Sequence, residues 1–182
     1  ENYGLANPIF GGDTLTSTNL IRQRWLDNHY YGGTYSLNYD TENLSVTVGG
    51  SASQYRGDHF GKVIWAQVST LTDNTFRYYF DDAVKNDFTN YVKVGYAFGN
   101  GFRVYGDLQV RNIYYSFAGY DRNLNATDQT AQYTFVNPKA GVSYQAAKSD
   151  FLYVSYGKSQ REPVRDDFVN STPDSRPKPE VL

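Results

Sequence analysis

Three arginines in this sequence, Arg111, Arg161 and Arg165, carry the side chain best suited to hold an anionic ligand. A guanidinium is a rigid, permanently charged fork of donors that meets carboxylate and phosphate oxygens two at a time. Arg111 closes the alternating string "FRVYGDLQVR" on the same face as Asp107 and Gln109, so its competing role is an ion pair within a polar wall. Arg161 and Arg165 fall in "REPVRDDF", a burst of charge that follows a clean alternating strand. His59, preceded by Asp58, is a fourth candidate contact, because imidazole can ligate a metal or a haem iron. The other histidine, His29, does not stand at ligand spacing from it, so a structural role for His59 competes.

Other chemistry is poorly supplied. Asp81-Asp82, Asp87 and Asp166-Asp167 read as loop acids that offer oxygens to Ca²⁺, yet their spacing is not that of an EF-hand loop. Glu162 and Asp166 do not make the facing carboxylate pair of a glycosidase. Neither histidine has the serine context of outer-membrane phospholipase chemistry. Arg56-Gly57-Asp58 spells an adhesion tripeptide, but a three-residue match recurs by chance and Gly57 reads equally as a bend. With Cys 0 there is no disulfide framework and no thiolate metal site. The expectation is a protein that is not an enzyme and that holds no resident cofactor or metal.

The elements that must position these residues are strands. "GTYSLNY" sets Tyr35, Leu37 and Tyr39 against Thr34, Ser36 and Asn38, and "NLSVTVGGS" continues the alternation after a polar turn. "YVKVGYAF", closed by the Gly-Asn-Gly turn at Gly99–Gly101, reads as one arm of a hairpin with "FRVYGDLQVRN" as the other. Here Phe102, Val104, Leu108 and Val110 oppose Arg103, Tyr105, Asp107, Gln109 and Arg111. "FVNPKAGVSY" and "FLYVSYG" repeat the pattern, and no helical period of useful length appears. The fold class is all-β, with antiparallel up-and-down strands.

Composition and loop lengths indicate where such strands live. No apolar run is long enough for a membrane helix. A mean hydropathy of −0.62 does not oppose a barrel, whose strands carry one apolar and one polar face. Tyr 18, Phe 11 and Gly 16 are high for 182 residues. Connections alternate between short (Asp40–Glu42, Gly99–Gly101, Gln145–Asp150) and long (Ala66–Asn86, Gly119–Thr130, Arg161–Lys178), the layout of an outer-membrane barrel. Aromatics at strand ends (Tyr30, Tyr31, Tyr39, Tyr96, Phe98, Phe102, Phe151) suit interfacial girdles, although strand propensity alone also favours them. A formal net charge of −2, with no basic stripe, argues against a nucleic-acid partner. A soluble β-sandwich or carbohydrate-binding module is the alternative architecture.

Specific strings then resemble one family. "LDNHYYGG" followed by "GGSASQYRGDHFGKVIWA", the hairpin "YVKVGY…FRVYGDLQVRNIYYSFAGY", "FVNPKAGVSY", and "SYGKSQREP" followed by "PKPE" are together similar to the barrel of TonB-dependent outer-membrane receptors of the Bacteroidetes type. The family's penultimate-strand signature is matched with a departure, Glu162 standing where many relatives have alanine, and the approach to Lys178-Pro179-Glu180 reads "DSRP". The resemblance implies a transmembrane barrel of about 22 strands with a plugged lumen. It further implies outer-membrane lipid around the barrel, a nutrient ligand (an iron chelate, haem or a cobalamin-like molecule), and TonB engaged through an N-terminal plug.

Residues 1–182 are expected to be a C-terminal barrel segment contributing about seven strands, without the plug or the last strands, since both ends read as cut in mid-pattern. The charge burst after Gly157 is expected to mark the exit of a strand from the membrane into an extracellular loop that turns back at Lys178–Glu180.

Overall fold

The structure, a computed structural model, describes residues 3, 5, 7, 9–68, 76–121, 123, 125–169, 171, 175 and 177–182. A two-residue pair, β1 (Ile9–Phe10) with β2 (Asp13–Thr14), comes first. Six strands follow: β3 (Leu20–Asp40), β4 (Leu44–Ala66), β5 (Arg77–Gly99), β6 (Phe102–Tyr120), β7 (Gln129–Gln145) and β8 (Phe151–Gly157). They form one sheet in the order β3-β4-β5-β6-β7-β8, so each strand pairs with its neighbour in sequence. A second short pair, β9 (Gln160–Arg161) with β10 (Glu180–Val181), flanks the one-turn helix α1 (Arg165–Val169). The described residues contain no helix long and apolar enough to cross a membrane, which leaves crossing by strands open.

Strand length separates the two architectures that the sequence allowed. β4 and β5 have 23 residues each and β3 has 21, whereas strands of soluble domains run about 3–10 residues. No described strand belongs to a second large sheet that could lie over this one as the other half of a sandwich. The architecture is an all-β, up-and-down segment of the barrel kind.

The chain divides into two compact units. One comprises Glu1–Tyr31, Gln54–Lys85 and Tyr115–Ala131, the other Gly32–Ser53, Asn86–Tyr114 and Gln132–Leu182. The first has a core of Phe60, Val63, Tyr78, Ala83, Tyr115 and Phe117. Trp25 stacks on Phe60, and the Arg77 guanidinium lies 3.9 Å from the centre of the Phe60 ring, which adds a cation–π contact to the burial. In the second, Ile113, Phe135 and Phe168 are buried together with the polar Asn137.

The second unit holds the short turns and the two-faced strands. Gly99, Asn100 and Gly101 all have positive φ, a run of left-handed residues that glycine and asparagine tolerate and β-branched residues do not. The β7–β8 ladder is antiparallel in register, Lys139 opposite Gly157 through Gln145 opposite Phe151. One face is apolar and uncovered: Leu37 is 73 % and Val154 72 % exposed, with Val48, Val94, Leu108, Val142 and Leu152 exposed in the same alternation. Tyr39, Tyr96, Phe98, Phe102 and Phe151 lie exposed near the short turns, Tyr96 packing edge-on to Phe98 and Phe102 stacking on Tyr144. Such an apolar, aromatic-edged face is unfavourable in water and suited to lipid.

Gly49 and Gly50 serve this sheet by letting tyrosines cross it. A Cβ on Gly49 would meet the Tyr91 ring, and one on Gly50 would meet the Tyr35 ring and the Thr89 carbonyl. Tyr35 thereby reaches over β4 to donate to Asn90 Oδ1 on β5.

Among the described residues the main sheet has six strands. The structure corrects two expectations. The loop expected over Ala66–Asn86 is shorter, because β5 begins at Arg77; polar residues extend the ladder without alternating. Asp81, Asp82 and Asp87 accordingly lie on a strand and not in a loop. The stretch after Gly157, expected as a loop, packs back on the sheet: Pro163 and Phe168 are buried and Glu162 is bonded to β6.

Face assignment is testable at Leu108, which is exposed beside the inward Gln109. If this face meets lipid, Leu108→Arg in the full-length protein places a guanidinium in hydrocarbon, costing about 2–4 kcal/mol near the midplane. Heat-modifiable gel migration should be lost or reduced. Leu108→Trp should assemble normally, because lipid accommodates a larger ring; equal damage from both substitutions would mean that Leu108 packs against protein.

Candidate functional site

Arg111 lies on β6 between Gln109 and Ile113, on the face opposite Leu108 and Val110. Its guanidinium is shared between two carboxylates within the second unit. Nε donates to Asp87 Oδ2 at 2.9 Å and to Oδ1 at 3.1 Å, and Nη2 also donates to Asp87. The outer edge donates to Glu162, Nη1 to Oε2 at 3.0 Å and Nη2 to Oε1 at 3.2 Å. Side-chain exposures of 26 % for Arg111, 20 % for Asp87 and 14 % for Glu162 place the cluster where water only partly screens it. Nearby, Asn137 Nδ2 on β7 donates to Gln109 Oε1 on β6 at 3.0 Å, a further polar bond across strands.

Glu162 reaches Arg111 because the segment after β8 folds onto the sheet. Lys158 N donates to the Pro138 carbonyl, and Ser159 exchanges backbone bonds with Leu182. Arg161 pairs in register with Glu180 and donates to its Oε2 at 2.8 Å; both side chains are more than half exposed. Val164 N donates to Asp167 Oδ2, capping α1. Phe168 is buried 6.5 Å, centre to centre, from Tyr133, which itself stacks on Phe135. Arg165 opens α1 and is half-buried, while the side chain of Asp166 lies outside the described residues.

His59 belongs to the first unit. Its Nε2 is 3.1 Å from Tyr55 Oη, whose hydroxyl donates to Asn28 Oδ1, and its Nδ1 is 3.4 Å from Asp81 Oδ1. A metal or haem iron would have to displace one of these neighbours. Among the described residues there is no cluster of three His, Asp or Glu side chains able to hold a metal ion.

Of the four candidate contacts, the structure therefore places Arg111 and Arg161 on carboxylates and His59 between a tyrosine and an aspartate. The partners Asp87, Glu162 and Glu180 carried no such signal in the sequence. Alternation puts Arg111 on a polar face, but only strand register shows which acid lies across from it.

Asp82 illustrates the opposite case. It stands farther from the Gly99 turn than the ~9–11 residues a tilted strand needs to cross hydrocarbon. Burial, a hydrogen bond with Asp58 and the charges of Asp58 and Asp81 raise its pKa above 3.8, against a smaller opposing pull from Arg77. A carboxyl raised on folding stabilises the fold while protonated, and that contribution is lost as pH rises upward from about 3.8. Asp82→Asn should therefore flatten the fall in heat-conversion temperature between about pH 4 and pH 7. An unchanged slope would show that Asp82 does not carry it.

The ion pairs make contrasting predictions. Arg111→Met leaves two partly buried carboxylates unpaired and should cost about 1–3 kcal/mol. Arg161→Ala breaks an exposed pair and should cost less than about 1 kcal/mol, with that small effect vanishing in high salt. Denaturant titrations of the detergent-solubilised protein, with each variant beside the parent, read both.

A long-stranded antiparallel sheet with short turns at one end, an apolar face and a charge-paired polar face is the architecture of an up-and-down β-barrel segment. No protein-family model matches the chain, and no curated protein matches it. Among solved structures it is similar to one described as "Copper transporter OprC", with a TM-score of 0.63 and 16 % identity. That likeness covers 81 % of this chain and 24 % of the transporter's, so this chain spans about a quarter of that structure. At this identity the likeness establishes the fold.

Proposed function

We propose that the chain forms part of the barrel wall of an outer-membrane active-transport receptor energised through TonB. The observation that carries this reading is the structural fit of 81 % of the chain, at a TM-score of 0.63, to 24 % of a structure described as a copper transporter. The exposed apolar face supports it, since a soluble sandwich or carbohydrate-binding module would have to bury Leu37, Leu152 and Val154. The match to a transporter likewise favours transport over enzymatic activity.

The finer parts of the proposal rest on motif strings. The "SYGKSQREP…PKPE" signature favours a position near the C-terminal end of a barrel of about 22 strands, in a receptor of the Bacteroidetes type whose plug engages TonB. The nutrient is proposed to be an iron chelate, haem or a cobalamin-like molecule. The name of the matched structure adds copper to the panel worth testing. Arg161 and Arg165 lie on the segment such a ligand would meet, while His59 would take part only by exchanging Tyr55 or Asp81 for the ligand.

The test is uptake by cells carrying the full-length gene. Accumulation of one labelled nutrient from that panel should require the gene and should disappear when TonB is deleted. A full-length protein that is monomeric and melts cooperatively without detergent would overturn the reading in favour of a soluble module.

A further inference from the structure

The two carboxylates on Arg111 are not equivalent. Asp87 is carried by β5, a 23-residue strand between β4 and β6 in the main sheet. Glu162 lies just beyond β9, on a strap that pairs with β10 over two residues and is tied to β7 by Lys158 N donating to the Pro138 carbonyl and Val136 N donating to Gln160 Oε1. Asp87 holds the Nε edge and so sets the plane of the guanidinium. Glu162 occupies the remaining Nη1–Nη2 edge in a two-pronged arrangement, one oxygen to each nitrogen. That edge-on grip is the geometry by which arginine binds any free carboxylate.

We propose that Arg111, oriented by Asp87, is a receptor site for a carboxylate-bearing solute, and that Glu162 is its internal stand-in. A solute carboxylate that takes the Nη1–Nη2 edge releases Glu162, and with it the strap from Lys158 to Phe168. Three features fit the exchange. The charge on Arg111 is the same with either occupant, so the solute is not repelled more than Glu162 is. Arg111 is 26 % exposed, which gives small solutes access from water. Phe168, buried against Tyr133, is a second anchor that draws the strap back once the solute leaves. Exchange at Arg111 does not depend on import, so it can be tested without TonB.

The test uses the purified full-length protein in detergent, with trypsin as the probe of the strap at Lys158 and Arg165. Succinate should accelerate cleavage there, whereas sodium chloride at equal ionic strength should not. Glu162→Gln, which keeps the shape and removes the charge, should be cleaved about ten-fold faster without succinate, the population change for losing one well-formed ion pair. It should no longer respond to succinate. Glu162→Asp should restore slow, succinate-sensitive cleavage, and heat-modifiable migration confirms that each variant is folded. Equal effects of succinate and chloride on the parent protein would overturn the proposal, even if Glu162→Gln failed to fold. So would a folded Glu162→Gln protein cleaved at the parent rate.

Discussion

A strand that crosses hydrocarbon finds no water for its amides and carbonyls, so its neighbours must take every one of them. The described strands from Leu20 to Gly157 are paired in a way that suits that requirement, each long strand being hydrogen-bonded to the next in sequence. Sequential pairing in turn requires tight reversals. The three consecutive positive-φ residues at Gly99–Gly101 are one, and a Cβ at Gly101 would stand 2.7 Å from the Gln145 carbonyl. The close crossings of Tyr35 over Gly50 and Tyr91 over Gly49 follow from the same demand: side chains bind neighbouring strands only where the intervening strand presents no Cβ.

The ladder also sorts charge. Once one face must be apolar, polar groups collect on the other, where they are close together and incompletely hydrated. Arg111 with Asp87 and Glu162, and Gln109 with Asn137, are the outcome. A partly buried guanidinium gains from two carboxylates because each replaces water that the site has excluded, and leaving either acid unpaired costs more than the pair contributes. Arg161 and Glu180 show the exposed limit of the same chemistry, in which water already solvates both partners.

Strand length distinguishes this molecule from a soluble sheet more sharply than hydropathy does. A tilted strand crosses hydrocarbon in about 9–11 residues, yet β4 and β5 have 23. The surplus is polar and irregular in its alternation, as at "RYYFDDAVKN", and still keeps its ladder. In the first unit these stretches carry a core of their own, built on Phe60, Tyr78 and Phe117. Lipid is therefore needed to explain only the apolar face of the two-faced segments, and the extensions are held by protein contacts.

Period-two alternation in "GTYSLNY", "YVKVGYAF" and "FLYVSYG" was enough to set fold class, strand direction and the faces of Leu108 and Gln109, because a pleated strand leaves its side chains no other choice. The Gly-Asn-Gly turn was equally legible, since few other residues accept those dihedrals. The first ten residues of β5 were not, because their apolar and polar residues do not alternate, Tyr78, Tyr79 and Phe80 running together before Asp81 and Asp82. Arg111 could be placed on a polar face but not on Asp87 and Glu162: partners 24 and 51 residues away are joined only when register and the returning strap are known. The docking of the loop after Gly157 was illegible for the same reason. Charge and a proline look identical in a solvated loop and in a docked strap, and only the packing of Glu162, Pro163 and Phe168 against the sheet tells them apart.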